Sequence, residues 1–112
     1  MEDEIYLLWT NGNLITAKEM IFMYAINSKL YNWWEKVTLI IWGNATQLVK
    51  DSVELQELVG EAIEHGVHVT ACKKCADDLE ASSILESIGV EVKYWGDPLT
   101  RLLKDGKRIL TL

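Results

Sequence analysis

Short apolar segments and longer amphipathic segments alternate along the 112-residue chain. The short segments are continuous and rich in β-branched and aromatic residues, which is typical of strands buried on both faces of a parallel sheet. They predict five strands: EIYLLWT (4–10), KVTLIIW (36–42), VHVTA (67–71), VEVKYW (90–95) and RILTL (108–112).

Four amphipathic segments separate the predicted strands. The first begins at Thr16, where Glu19 provides the spacing of a capping box. The second covers about 52–65, the third about 75–88, and the fourth follows Asp97-Pro98, with Asp as the cap and Pro in the first turn. The resulting order, β-α-β-α-β-α-β-α-β, predicts one three-layer α/β/α domain with a parallel sheet over residues 1–112.

Ligands of open parallel sheets bind at the edge formed by the loops that leave the carboxyl ends of the strands. Three of the four predicted loops at this edge carry a glycine, which lets the backbone approach a ligand closely. The candidate site residues in these loops are Asn11, Gly12, Gly43, Asn44, Cys72, Lys73, Lys74, Cys75, Trp95 and Gly96.

The only two cysteines lie in the sequence CKKC (72–75), where the third strand gives way to the third helix. A thiolate is the reactive form of cysteine, and a helix N-terminus favours negative charge. Lys73 and Lys74 also favour a thiolate, whereas Asp77 and Asp78 in the first helical turn oppose it. The sequence leaves the balance between these charges open.

Three interpretations compete with a sulfur-handling role for the cysteine pair. A zinc ion needs four ligands, and the only histidines, His65 and His68, lie at the other end of the predicted strand, so we expect no metal site. A dithiol–disulfide pair has the right spacing but lacks the usual Trp-Cys-Gly-Pro context. One or both thiols could also be small buried apolar side chains, which is common for cysteine.

Charge and hydropathy exclude several classes of protein. The net charge is −6 and the basic residues are scattered, which argues against a nucleic-acid partner. No apolar run approaches the roughly 18 residues of a membrane span. The acidic start MEDEIYLLWT lacks the apolar core of a signal peptide, so we expect a cytoplasmic location. The loop GNATQLV is too short and lysine-free for a phosphate loop, and no cofactor is predicted.

Three stretches, LIIWGNATQLV, GVHVTACKKCADDL and IGVEVKYWGDPLTRLLKDGKRILTL, together resemble the DsrE/DsrF-like family of small sulfur-relay-type proteins. The resemblance implies a five-stranded parallel sheet of order 4-3-2-1-5 and a homotrimer or homohexamer. It also implies that Cys72 accepts a persulfide sulfur and passes it to a partner, with Cys75 matching a second cysteine of some relatives. Glu80 departs from the family, because many relatives have glycine there.

The sequence thus predicts a cytosolic sulfur-handling protein that exchanges sulfur with donor and acceptor proteins. A dithiol–disulfide redox protein and a non-catalytic oligomeric binding module stay open as alternatives. With the implied strand order, right-handed crossovers leave only the fourth helix to cover the second sheet face, so we expect partner subunits to bury it. Trp33 and Trp34 are predicted at a subunit interface, and Trp9, Trp42 and Trp95 in the core or a pocket wall.

Overall fold

All five predicted strands are present in the computed structural model, which describes residues 2–112; Met1 of the predicted domain lies outside the described residues. The strands are β1 (Glu4–Trp9), β2 (Lys36–Ile41), β3 (His68–Cys72), β4 (Glu91–Lys93) and β5 (Ile109–Thr111). They pair in parallel in the order β4-β3-β2-β1-β5. The α/β class and the strand order are therefore confirmed.

Helices cover both faces of the sheet but very unequally. The helical segments are α1 (Leu14–Thr16), a π-helical segment (Ala17–Phe22), α2 (Met23–Leu30), α3 (Asn44–Asp51), α4 (Val53–Glu64), α5 (Lys73–Asp78), α6 (Ser82–Ser87) and α7 (Gly96–Lys104). Side chains of α2, α3, α4, α5, α6 and the π-helical segment join the main core on one face. Leu99 and Leu102 of α7 pack on the second face, which completes the three predicted layers.

The first helix begins earlier than the sequence predicts. Asn13, and not Thr16, is its N-cap: the Asn13 side-chain oxygen accepts a 2.8 Å hydrogen bond from the backbone N–H of Thr16. The predicted capping box is therefore wrong, because the asparagine three residues upstream already satisfies the free backbone donors.

The π-helical segment explains how two consecutive large side chains enter the main core. Ile21 and Phe22 are both fully buried. The wider π turn departs from the 3.6-residue period of a regular α-helix. The Phe22 ring packs edge-on against the indole of Trp9, with ring centroids 5.4 Å apart.

The second predicted helix is confirmed, and an additional helix precedes it. The Ser52 hydroxyl accepts a hydrogen bond from the N–H of Leu55 and caps α4. Leu55, Val59 and Ala62 of its apolar stripe are fully buried. The sequence pattern does not predict α3, because its eight residues are too few to show a helical period.

The third predicted helix is two helices in the structure. The chain leaves α5 at Leu79, and Glu80 adopts a left-handed backbone conformation with φ of 55°. The N–H of Ala81 then bonds to the carbonyl oxygen of Ala76 before α6 begins. The prediction of one continuous helix over about 75–88 is therefore wrong. The left-handed residue ends α5 after about one and a half turns and redirects the chain.

The fourth predicted helix is α7, but its cap differs from the prediction. Trp95 occupies the N-cap position, and Asp97 lies within the first turn, where its carboxylate pairs with Arg101 one turn later. None of the helices formed by residues 2–112 combines the length and the apolar character that a membrane crossing requires.

Candidate functional site

Cys72 is the last residue of β3, and its side chain lies on the second face of the sheet. Strand alternation directs Val69 and Ala71 into the main core and places Cys72 on the opposite side. There Cys72 packs with Ile40 and Trp95 under the leucines of α7, and only 3% of its surface is exposed. The thiol is thus enclosed at the carboxyl edge of the sheet and does not stand open in a loop.

Cys75 is the more accessible of the two thiols. It lies in the first turn of α5, one helical turn after Cys72, and is half-buried. Cys72 itself is the N-cap residue of this helix, with extended backbone angles. Both cysteines are free thiols.

The lysines and aspartates around the cysteines form ion pairs with one another. Lys73 Nζ lies 2.8 Å from the carboxylate of Asp77, and Lys74 Nζ lies 2.5 Å from that of Asp78. The hydrogen bonds to these carboxylates raise the pKa of Lys73 and of Lys74, and the bond from Lys73, with a second from Ser82, lowers the pKa of Asp77. The opposing charges that the sequence left unbalanced are therefore largely compensated along the surface of α5.

Trp95 forms one wall beside Cys72 and is held in place by two contacts. Its indole Nε1 donates a 2.8 Å hydrogen bond to the buried hydroxyl of Thr70, which itself donates to the carbonyl oxygen of Glu91. The ammonium of Lys93 lies 4.7 Å from the centroid of the indole ring. These contacts fix the indole between the end of β4 and the start of α7.

The loops that follow β1 and β2 form a second part of the same edge. Gly12 lies directly against the side chain of Asn44, so close that a Cβ at position 12 would be 2.2 Å from the Asn44 amide nitrogen. Gly43 precedes α3 with a φ of 61° and lies against the backbone of Thr10. Asn11 accepts a hydrogen bond from the N–H of Asn13, which is a turn contact.

Three residues of the cysteine environment were not identified from the sequence: Ile40, Thr70 and Lys93. Thr70 could have been identified from the sequence, because strand side chains alternate between faces and Thr70 is two residues before Cys72. Lys93 could not, because its position beside Cys72 depends on the parallel register of β3 and β4, in which Cys72 pairs with Lys93. Ile40 likewise reaches the thiol only through the pairing of β2 with β3.

The tryptophans divide into two groups. Trp9 and Trp95 are buried and Trp42 is half-buried. Trp33 is half exposed, whereas Trp34 is partly buried and donates a hydrogen bond to the hydroxyl of Tyr24. Within residues 2–112, no group of three or more His, Cys, Asp or Glu side chains is placed to hold a metal ion.

Comparison with solved structures decides the family. The chain is similar to BT1422 of Bacteroides thetaiotaomicron, a conserved protein of unknown function, with 36% identity over 98% of this chain and 95% of that one and a TM-score of 0.96. The chain belongs to the BT1422 family.

A more distant similarity shows the kind of fold that this member of the BT1422 family has. The ychN protein of E. coli matches over the full length of both chains with a TM-score of 0.74 and 16% identity. At this identity the similarity concerns the fold alone, which is DsrE-like. No family model matches the sequence, and the search of curated proteins produced no match.

Proposed function

We propose that this protein carries sulfur on Cys72 as a persulfide and passes it from a donor protein to an acceptor protein. The observation that carries the proposal is the position of Cys72 at the end of β3 in a DsrE-like fold, with its side chain enclosed by Ile40 and Trp95. The proposal includes a cytoplasmic location, where reducing conditions keep free thiols available.

Each transfer conserves atoms and electrons. The Cys72 thiolate attacks the outer sulfur of a donor persulfide, a new S–S bond forms on Cys72, and the donor S–S bond breaks with the electron pair leaving on the donor thiolate. In the second transfer an acceptor thiolate attacks the outer sulfur, and Cys72 leaves as the thiolate. No external oxidant or reductant is consumed.

The apolar surroundings of Cys72 suit a residue that carries a persulfide better than a solvent-exposed cysteine would. The apolar enclosure limits access of water and oxidants to a bound persulfide, which would otherwise be lost by side reactions. Since Trp95 and the leucines of α7 belong to the apolar cluster around the thiol, we expect loading and unloading to require local opening at the start of α7.

Mass spectrometry after incubation with a low-molecular-weight persulfide tests the proposal. We expect a gain of about 32 Da, one sulfur atom, on Cys72 in the wild type and in Cys75→Ser. Transfer back to an added thiol should remove it. Loading of Cys75 alone, or no loading under conditions that modify a known persulfide carrier, would contradict the proposal.

A dithiol–disulfide protein is the second candidate, favoured by the geometry of the pair. Cys72 and Cys75 are one helical turn apart at the start of α5, a spacing compatible with a disulfide. In this function Cys72 would attack and Cys75 would resolve. A redox titration separates the candidates, because only this one predicts a reversible disulfide that Cys75→Ser abolishes.

A non-catalytic oligomeric module is supported by a different surface. Leu30, Tyr31 and Trp33 are each at least half exposed near the end of α2, and aromatic side chains of this kind are enriched at subunit contacts. We propose that this exposed apolar surface joins copies of the chain into the homotrimer or homohexamer that the family resemblance implies. Sedimentation of Trp33→Ser beside the wild type tests this subunit contact. An unchanged oligomer would exclude this surface as the contact.

A further inference from the structure

A cavity of about 410 Å³ lies between the second face of the sheet and α7. It shares Trp95 with the candidate site and extends from there towards the amino-terminal halves of the strands, where Tyr6 and Thr38 form its floor. Its volume falls within the range of small-molecule sites, roughly 300–1,000 Å³.

Three basic side chains line this cavity. His68, Lys93 and Arg101 reach it from β3, β4 and α7, and no carboxylate among the described residues lines it. The basic lining of the cavity contrasts with the net charge of the whole chain, which is −6. A wall that carries basic donors and no carboxylate favours a ligand with a negative charge.

Neighbouring carboxylates hold these bases in position from outside the cavity. Glu91 Oε1 lies 3.2 Å from His68 Nε2 and 3.6 Å from Lys93 Nζ, and Asp97 pairs with Arg101. The side chain of Glu91 is 49% exposed and that of Asp97 is 76% exposed, so solvent weakens these pairs. The bases are thus oriented without being fully neutralised.

Two aromatic side chains line the cavity, and of these the half-buried Tyr6 is the one with an accessible ring, because Trp95 is only 4% exposed. The indole of Trp95 is fixed by its hydrogen bond to Thr70, and the half-buried phenol of Tyr6 lies on β1. Burial raises the pKa of Tyr6, with a further contribution from Glu4, so the phenol keeps its proton at neutral pH and is available as a donor. An accessible aromatic ring beside cationic donors suits a planar body that bears an acidic group.

We infer that this cavity binds a small flat organic anion, its ring system against Tyr6 and its acidic group between Lys93 and Arg101. The inference does not depend on sulfur transfer, although Trp95 forms a wall of both the cavity and the Cys72 enclosure. A ligand bound here would therefore also stabilise the cover over the thiol.

Two fluorescent probes that differ by one acidic group test the inference on the full chain. 1-Anilinonaphthalene-8-sulfonate carries the sulfonate, and N-phenyl-1-naphthylamine has the same rings without it. We expect one site per chain that binds the sulfonate more tightly than the neutral probe. The combined change Lys93→Met and Arg101→Gln should weaken the sulfonate roughly tenfold and leave the neutral probe within about twofold.

A variant with the same loss of charge outside the cavity serves as the control. Lys36→Met with Lys104→Gln should leave the affinity for the sulfonate unchanged, because neither lysine lines the cavity. Arg101→Gln alone, at an exposed position of α7, should move the affinity in the same direction as the double variant. This single variant keeps the test valid if the double variant does not fold.

Three results would overturn the inference. One is equal weakening by the cavity variant and by the control variant. Another is equal affinity of the two probes for the wild type. The third is an absence of probe binding in a sample that sediments as an oligomer, which would assign this face to a second copy of the chain.

Discussion

The indole N–H of Trp95 donates a hydrogen bond to the hydroxyl of Thr70 across 25 residues of sequence, at 2.8 Å and with both groups buried. This bond links the start of α7 to the strand that ends in Cys72. We expect Thr70→Val to cost about 2 kcal/mol of unfolding free energy, because it leaves the indole N–H without a buried acceptor. Chemical denaturation measures this.

Thr100→Val is the matched control for that substitution. The Thr100 hydroxyl bonds to the carbonyl oxygen of Gly96 on the exposed side of α7. Its loss should change the unfolding free energy by less than about 0.5 kcal/mol. Equal effects of the two valine variants would show that the Trp95–Thr70 bond has no special role.

The two cysteines should differ in their rate of alkylation. N-Ethylmaleimide should modify Cys75 first and Cys72 at least about tenfold more slowly, because only local opening exposes Cys72. Mass spectrometry of Cys72→Ser and Cys75→Ser assigns the two phases, and in denaturant the rates should become similar. A native Cys72 that reacts as fast as Cys75 would contradict the enclosed position.

Glu80→Gly should stabilise the protein. Glu80 has a φ of 55°, which costs a residue with a side chain about 1–2 kcal/mol. Since glycine also adds entropy to the unfolded chain, we expect a net gain of about 0.5–1 kcal/mol. Thermal unfolding should show this gain.

Glu86→Gly provides the comparison for the glycine substitution. Glu86 is exposed and lies in regular helix α6. Glycine there should cost about 1 kcal/mol. If both substitutions destabilised the protein equally, the left-handed residue between α5 and α6 would not be strained.

Glu4 and Lys107 should make stability depend on acid pH. Burial raises the pKa of Glu4, but the hydrogen bond from Lys107, with smaller contributions from Glu2 and Lys36, lowers it overall below its ordinary value of 4.5. A group with a lowered native pKa stabilises the fold above its unfolded pKa and loses that contribution as the pH falls through its native value. The pair therefore stabilises the protein at neutral pH and not in strong acid.

Lys107→Met isolates this contribution. Its unfolding free energy should fall below that of the wild type at pH 7, and the two should converge as the pH drops below 4.5. Lys104→Met, on the exposed end of α7, should show no such dependence. A constant difference between wild type and Lys107→Met from pH 7 to pH 3 would exclude the ion pair as its cause.

The sequence by itself determined the strands, because burial on both faces leaves continuous apolar runs. It also determined most of the helices, because helices that pack on one side of a sheet leave an amphipathic pattern. It also placed the start of the second helix at about residue 52, where the structure has the Ser52 cap. It did not determine the short helix α3, the π-helical segment or the break at Glu80. In each of these, tertiary packing selects a backbone conformation that the local pattern does not require.

The candidate site shows the same division. The sequence placed Cys72 at the carboxyl edge of the sheet, because the order of strand and helix dictates that edge. Only the tertiary structure decided that Cys72 is enclosed, that Lys93 lies beside it and that Trp95 covers it. These contacts depend on strand register and on the path of α7 across the second face, which bring together residues more than 20 positions apart.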